Sequence, residues 1–342
     1  PPDIWRNYDF TPGAVTTNHG WAPMNVKEFE VEVRTNELGF RDRDYPFEKP
    51  EGVYRIVMLG DSYIEGREVE LDRTIHKVLE RRLNEELGRE GRRFEVIALA
   101  KGGANTAGEL DFLYRLGMKF QPDLVVHSFF PGNDIRENWA PLREAYDRWT
   151  HQIYRARVVR AKIDFLDKWI WIDGSYFNRF LVDRAMEVYI ANLHFFERNL
   201  TAEDLRPVDL GVYRAGEFDA TWSAAWDQTR DWVKQTRDVA RDGGADYMML
   251  IVHAILLDGF QAEWVEVGAV GGLDLDKPWR LIREFCEAEG LDYLDTGPPL
   301  EAFRETTGER YCWRYDAHWN EHGHRVAAEA LFQYLAKTLG NE

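Results

Sequence analysis

From residue 51 onward, short apolar runs alternate with amphipathic stretches. Tyr54-Arg-Ile-Val-Met-Leu-Gly60 is brief and apolar enough to be a buried strand. Ile75, Val78, Leu79, Leu83 and Leu87 then follow helical spacing with charges between them, and Gly88 and Gly91 close that helix. Phe94-Glu-Val-Ile-Ala-Leu99 reads as a second strand, and a helix from about Thr106 carries Leu110, Leu113, Tyr114 and Leu116 inward. Pro122-Asp123 introduces a third strand, Leu124–Phe130. After a pause, the pattern resumes with a helix near 221–241 and a strand at Tyr247–Val252. A helix near 278–288, a short strand at Leu291–Leu294 and a closing helix near 321–339 complete it. Such alternation predicts a parallel, doubly wound α/β sheet, with its post-strand loops gathered on the C-terminal edge where ligands bind.

Two regions fall outside the rhythm. Residues 1–50 are rich in Pro, Gly, Asn and aromatics and contain one alternating run, Glu28-Phe-Glu-Val-Glu-Val-Arg34, with the period of a half-buried strand. They are expected to form an N-terminal extension packed on a main domain of residues 51–342. Residues 135–220 hold no strong strand candidate and are expected to be a largely helical insertion. Its aromatics, among them Trp139, Trp149, Trp169, Trp171, Tyr176 and Phe177, either pack the insertion on the body or line a substrate cleft as a cap.

Charge narrows the partners. A net charge of −17 argues against nucleic acid or an anionic membrane surface, since both would be repelled. Cys286 and Cys312 have no metal-ligand spacing and read as two buried thiols. No apolar stretch reaches membrane-spanning length. The chain starts at Pro1 rather than Met, so a missing upstream signal or anchor is compatible with it; a bacterial extracytoplasmic setting is expected over a cytoplasmic one. Oligomeric state is left open.

The chemistry sits at the strand ends. Gly60-Asp61-Ser62 follows the first strand, and taken alone it is an ordinary turn, because Asp and Ser hydrogen-bond their own backbone. A serine nucleophile needs a base within hydrogen-bond reach, a group that orients the base, and donors where an oxyanion develops. Lys101-Gly102-Gly103 after the second strand offers the Gly103 N–H, and Asn133 after the third offers a side-chain amide. Asp316 and His318 stand just before the last helix. Four loops of one sheet edge thus supply nucleophile, donors, base and orienter.

At these residues the chain resembles the SGNH, or GDSL-type, hydrolases, from about Tyr54 to Leu339. Gly60-Asp61-Ser62, Gly103, Gly132-Asn133-Asp134 and Asp316-Ala-His318 match the family's blocks in order. The resemblance implies a flavodoxin-like three-layer α/β/α fold with a central parallel sheet, and a serine esterase that works through an acyl-enzyme without a cofactor. It implies Ser62 as nucleophile, His318 as general base, Asp316 as its orienter, and oxyanion donors from the Ser62 and Gly103 backbones and the Asn133 amide. Many members place Asp three residues before His. The spacing of two here, in Asp316-x-His318-Trp319-Asn320, is similar to a bacterial branch, as is Asn36-x-x-Gly39-Phe40-Arg41. Pro131 and Ala98 replace a common Gly and Asn of the third and second blocks.

The expected substrate is an acyl ester, acetyl or short-chain, of a carbohydrate or small alcohol. Alternatives are an O-acyltransferase using the same serine, or a non-catalytic ester- or glycan-binding module. Asp61 and His253 are candidate substrate contacts, although both also read as structural, Asp61 as a hydrogen-bonder beside Ser62 and His253 as strand-edge packing. His318, His322 and His324 with Asp316 form the one metal-like cluster, but the HExxH glutamate is absent and no metal is expected.

Overall fold

The computed structural model describes residues 10–22, 26–146, 208–254, 274–314 and 316–340. Strands β1 (Val15–Ala22) and β2 (Val26–Arg34) form an antiparallel pair. Five more strands make a parallel sheet: β3 (Val53–Gly60), β4 (Arg93–Ala100), β5 (Leu124–Phe129), β6 (Asp246–Ile251) and β7 (Asp292–Asp295). Their spatial order is β4-β3-β5-β6-β7, the flavodoxin-like arrangement in which the chain reverses direction beside its first parallel strand. Central β5 is buried along its whole length, as a strand covered by helices on both faces requires.

The helices of the described residues include α1 (Ser62–Glu65), α2 (Ile75–Glu86), α3 (Thr106–Arg115), α4 (Asp134–Glu137) and α5 (Ala220–Asp242). They continue with α6 (Lys277–Glu289), α7 (Gly297–Thr307) and α8 (Glu321–Leu339). Helix α2 packs against α8, and α3 packs against α5. The result is the parallel, doubly wound sheet expected from the alternation, in the three-layer α/β/α arrangement that the family resemblance implies. No helix among the described residues is long and apolar enough to cross a membrane. Cys286 and Cys312 are both buried and unbridged.

Two elements differ from the sequence-based expectation. Strand β1 lies where loops are expected, because its Thr-Thr-Asn-His-Gly run lacks apolar alternation; pairing with β2 alone makes it a strand. Helix α7 has no counterpart among the expected elements; it opens on Gly297-Pro-Pro, and proline is tolerated in a first turn whose N–H groups have no helical partner. The proposed helical insertion falls mostly on residues 147–207, outside the described residues, as do Trp149, Trp169, Trp171, Tyr176 and Phe177. Trp139 is described and packs partly buried against the core.

The N-terminal residues are tied to the sheet's functional edge. Phe10 packs on Phe40 and Phe112 with ring centroids 5.0 and 5.6 Å away. Asn36 Oδ1 accepts the Leu38 and Phe40 N–H groups, which shapes the turn through Gly39 at φ +81°. That turn delivers the buried Arg41, whose guanidinium donates to the carbonyls of Glu65, Gly66 and Val69.

Candidate active site

Strand β3 ends at Gly60, where a Cβ would lie 2.3 Å from Ile64 Cγ1, so no larger residue fits. Asp61 then caps α1, its Oδ1 accepting the Tyr63 N–H at 2.9 Å. Gly66 closes this short helix in the left-handed conformation at φ +59°. The turn presents Ser62, half-buried, at the mouth of the crevice between β3 and β5.

His318 Nε2 lies 2.8 Å from Ser62 Oγ, and His318 Nδ1 lies 2.5 Å from Asp316 Oδ1. With Nδ1–H donated to the carboxylate, Nε2 is the acceptor for the serine proton. The loop that achieves this is fixed from below. Trp319 is fully buried and donates its indole N–H to the His253 carbonyl at 2.7 Å. Asn320 caps α8 through the His322 and Gly323 N–H groups. The Tyr63 ring packs on His318, Trp319 and Phe130 at 5.0, 5.4 and 4.7 Å.

The short Asp-x-His spacing has a backbone solution: Ala317 sits at φ +72°, turning the chain so that Asp316 folds back under the imidazole. A non-glycine residue there carries strain of about 1 kcal/mol. Ala317→Gly is therefore expected to keep activity, with stability within about 1 kcal/mol of wild type, because relieved strain offsets added chain freedom. Ala317→Val, β-branched at positive φ, is expected to lower kcat by about 10- to 100-fold by displacing His318. Thermal melts and initial rates check both.

The second loop leaves β4 with Lys101 N–H bonded to the Gly60 carbonyl. Gly103 adopts φ +76°, where its missing Cβ matters for conformation rather than space. Gly102 donates its N–H to Glu65 Oε2 at 2.7 Å, and a Cβ on Gly102 would stand 3.8 Å from Ser62 Cβ. This loop therefore runs beside the serine. The third loop places Asn133 just before α4, and Asp134 Oδ2 accepts the Phe130 N–H at 2.7 Å. Burial raises the Asp61 carboxyl, while the Tyr63 N–H, His318 and the nearby Asn133 amide oppose that rise. Asn105 bridges the two loops by donating to the Glu137 carbonyl at 2.8 Å.

Ser62, Gly103, Asn133, Asp316 and His318 thus come from four loops on one edge. Asp61 is buried and spends one oxygen on the Tyr63 N–H, a capping position. His253 stacks on Trp279 at 4.5 Å with Nε2 3.8 Å from Asp295. The histidines near the last helix diverge. His324 Nδ1 accepts the Ile75 N–H, and burial lowers its pKa to about 3; His322 stacks on Phe303.

Sequence reasoning overlooks Glu65, Glu68 and the role of Arg41. Nothing in Glu-Gly-Arg-Glu-Val-Glu70 singles these residues out in the sequence, yet Glu65 and Glu68 are both buried. Among the described residues, the one set of three metal-capable side chains within 4.8 Å of one another is Glu68, Asp316 and His318.

Residues 58–326 match the profile of the GDSL-like lipase/acylhydrolase family. No curated protein matches the chain. Among solved structures, an acetyl xylan esterase, AlAXEase, is 11% identical with TM-score 0.44, covering 82% of this chain and 99% of its own. TesA is 14% identical with TM-score 0.42, covering 83% and 99%. A lipase/acylhydrolase from Enterococcus faecalis is 12% identical with TM-score 0.42, covering 84% and 96%.

Proposed function

The chain belongs to the GDSL-like lipase/acylhydrolase family and is an ester-hydrolysing serine hydrolase, and from that premise we propose that Ser62 is its nucleophile. His318 takes the Ser62 proton as Oγ attacks the ester carbonyl, and Asp316 holds the imidazole in the tautomer that leaves Nε2 open. The oxyanion is met by the Ser62 and Gly103 N–H groups and the Asn133 amide. His318 then returns the proton to the leaving alcohol, and water releases the acyl group by the reverse path. The continuous Ser62–His318–Asp316 hydrogen-bond chain, at 2.8 and 2.5 Å, carries this reading.

The substrate we propose is a neutral ester with an acetyl or other short acyl group on a carbohydrate or small alcohol. Two features support it. The chain's net charge of −17 disfavours polyanionic substrates. Buried Tyr63, with Phe130 and Trp319 packed on its ring, crowds the inner side of the serine–histidine pair, which favours a small acyl group.

A fluorophosphonate probe tests the nucleophile. It should label wild type at one site, the peptide carrying Ser62, and leave Ser62→Ala unlabelled; labelling elsewhere would sink the assignment. Across a series of p-nitrophenyl esters, kcat/KM should be highest for acetyl and fall by at least about tenfold for long acyl chains. A preference for long chains would reject the short-acyl reading.

A further inference from the structure

A second carboxylate faces the histidine. Glu68 lies in the turn after α1, is 7% exposed, and its Oε2 meets no hydrogen-bond partner among the described residues. Glu68, Asp316 and His318 each place a nitrogen or carboxylate oxygen within 4.8 Å of the other two. A buried carboxylate left with an open oxygen is unfavourable unless a cation stands near it. Arg41 supplies one such charge, and the imidazole of His318, within 4.8 Å, is able to become another.

The turn is held in place rather than merely resting there. Arg41 Nη1 donates to the Glu65 and Gly66 carbonyls and Nη2 donates to the Val69 carbonyl at 2.6 Å, so both sides of Glu68 are anchored. Gly66 is closed in by Thr74 and His324, 3.0 and 3.1 Å from where a Cβ would sit.

We propose that Glu68 is a positioning residue for the base: a second carboxylate, fixed by the Arg41-anchored turn, that joins Asp316 in stabilising protonated His318 and so confines ester hydrolysis to alkaline pH. This rests on the reading of His318 as general base.

The surrounding charges agree. Burial by itself lowers the His318 pKa, but the Asp316 hydrogen bond and the charges of Glu68, Asp316 and Asp61 outweigh it and raise the pKa to about 9. His324, on α8, also faces His318 and is held neutral by burial. Glu68 itself is raised to about 7 by burial; His318 opposes that rise, and Asp316 and Glu65 add to it. Arg41 also faces Glu68. Only neutral imidazole can accept the Ser62 proton, so activity is low while His318 is charged and grows as pH rises through its pKa. In return, the imidazolium formed during attack is met by two carboxylates instead of one.

The test is the pH profile of kcat/KM for p-nitrophenyl acetate in wild type, Glu68→Gln and Glu68→Asp. The low-field Nδ1 proton of His318, followed by NMR in the resting enzyme, gives a second readout. The wild-type acid limb should lie well above the ordinary histidine value. Glu68→Gln should move both limb and NMR titration down by about one unit. It should then be about threefold more active at neutral pH and about threefold less active on the alkaline plateau, because a weaker base is free more often but reacts more slowly. Glu68→Asp, which keeps the charge, should titrate above Glu68→Gln. A wild-type limb at the ordinary value overturns the proposal without any variant. So does a Glu68→Gln profile lowered equally at every pH. The base reading fails separately, if His318→Gln keeps wild-type activity.

Discussion

Ser62→Ala should leave a folded protein whose kcat on p-nitrophenyl acetate is lower by roughly 10⁴–10⁶. The size follows from what the hydroxyl does. Without Oγ there is no atom to form the acyl-enzyme, and His318 Nε2 loses the group 2.8 Å away whose proton it would take. What survives is electrostatic help to a water attacking directly, from donors that remain in place. Stability should be nearly unchanged, because Asp61 rather than Ser62 caps α1, through the Tyr63 N–H at 2.9 Å. Circular dichroism and the melting temperature separate loss of chemistry from loss of fold. His318→Ala should cost a similar factor, and the double variant should be little worse than either, since residues acting as one unit are far from additive. Ser62→Ala turning over within about tenfold of wild type would move the nucleophile elsewhere.

The same serine shows what a sequence exposes and what it hides. Buried strands such as Ile56–Leu59 and Leu124–Phe129 are legible because a strand covered on both faces is mostly apolar, even where His127 and Ser128 are buried with it. The loops at their ends are legible because hydroxyl, glycine and amide stand there in an order that one reaction needs, with the imidazole and its carboxylate following beyond α7, just before the last helix. Strand β1 is not legible, since its partner, and not its own composition, makes it a strand. Ala317 is hidden for a related reason: alanine gives no sign of positive φ, and the constraint comes from Trp319 and Asn320 anchoring the chain beyond it. Glu65 and Glu68 are hidden most deeply. A glutamate beside Gly66 and Arg67 is usually solvated, but Arg41, more than twenty residues earlier in the chain, and the Gly102 N–H, more than thirty residues later, hold the turn inside. Charges are placed by tertiary partners, which a local pattern does not record.

Asn133→Ala should lower kcat by about 10²–10³ with little change in KM, the mark of a donor that acts mainly once the carbonyl oxygen becomes an oxyanion. Asn133 suits this test because its side chain has so little structural work. It stands at the start of α4 without capping it, and its Oδ1 is buried with no hydrogen-bond partner among the described residues. Removing it therefore costs little stability, and the neighbouring Asp134 still takes the Phe130 N–H. The amide carries two N–H bonds: one can answer the Asp61 carboxylate, leaving the other for the oxyanion beside Ser62. Asn133→Asp sharpens the test. A carboxylate there would face both Asp61 and the developing negative charge, so Asn133→Asp should be slower than Asn133→Ala although it is closer in shape. If Asn133→Ala instead raises KM and leaves kcat intact, the amide binds the ground state and the oxyanion must be held by the backbone N–H groups alone.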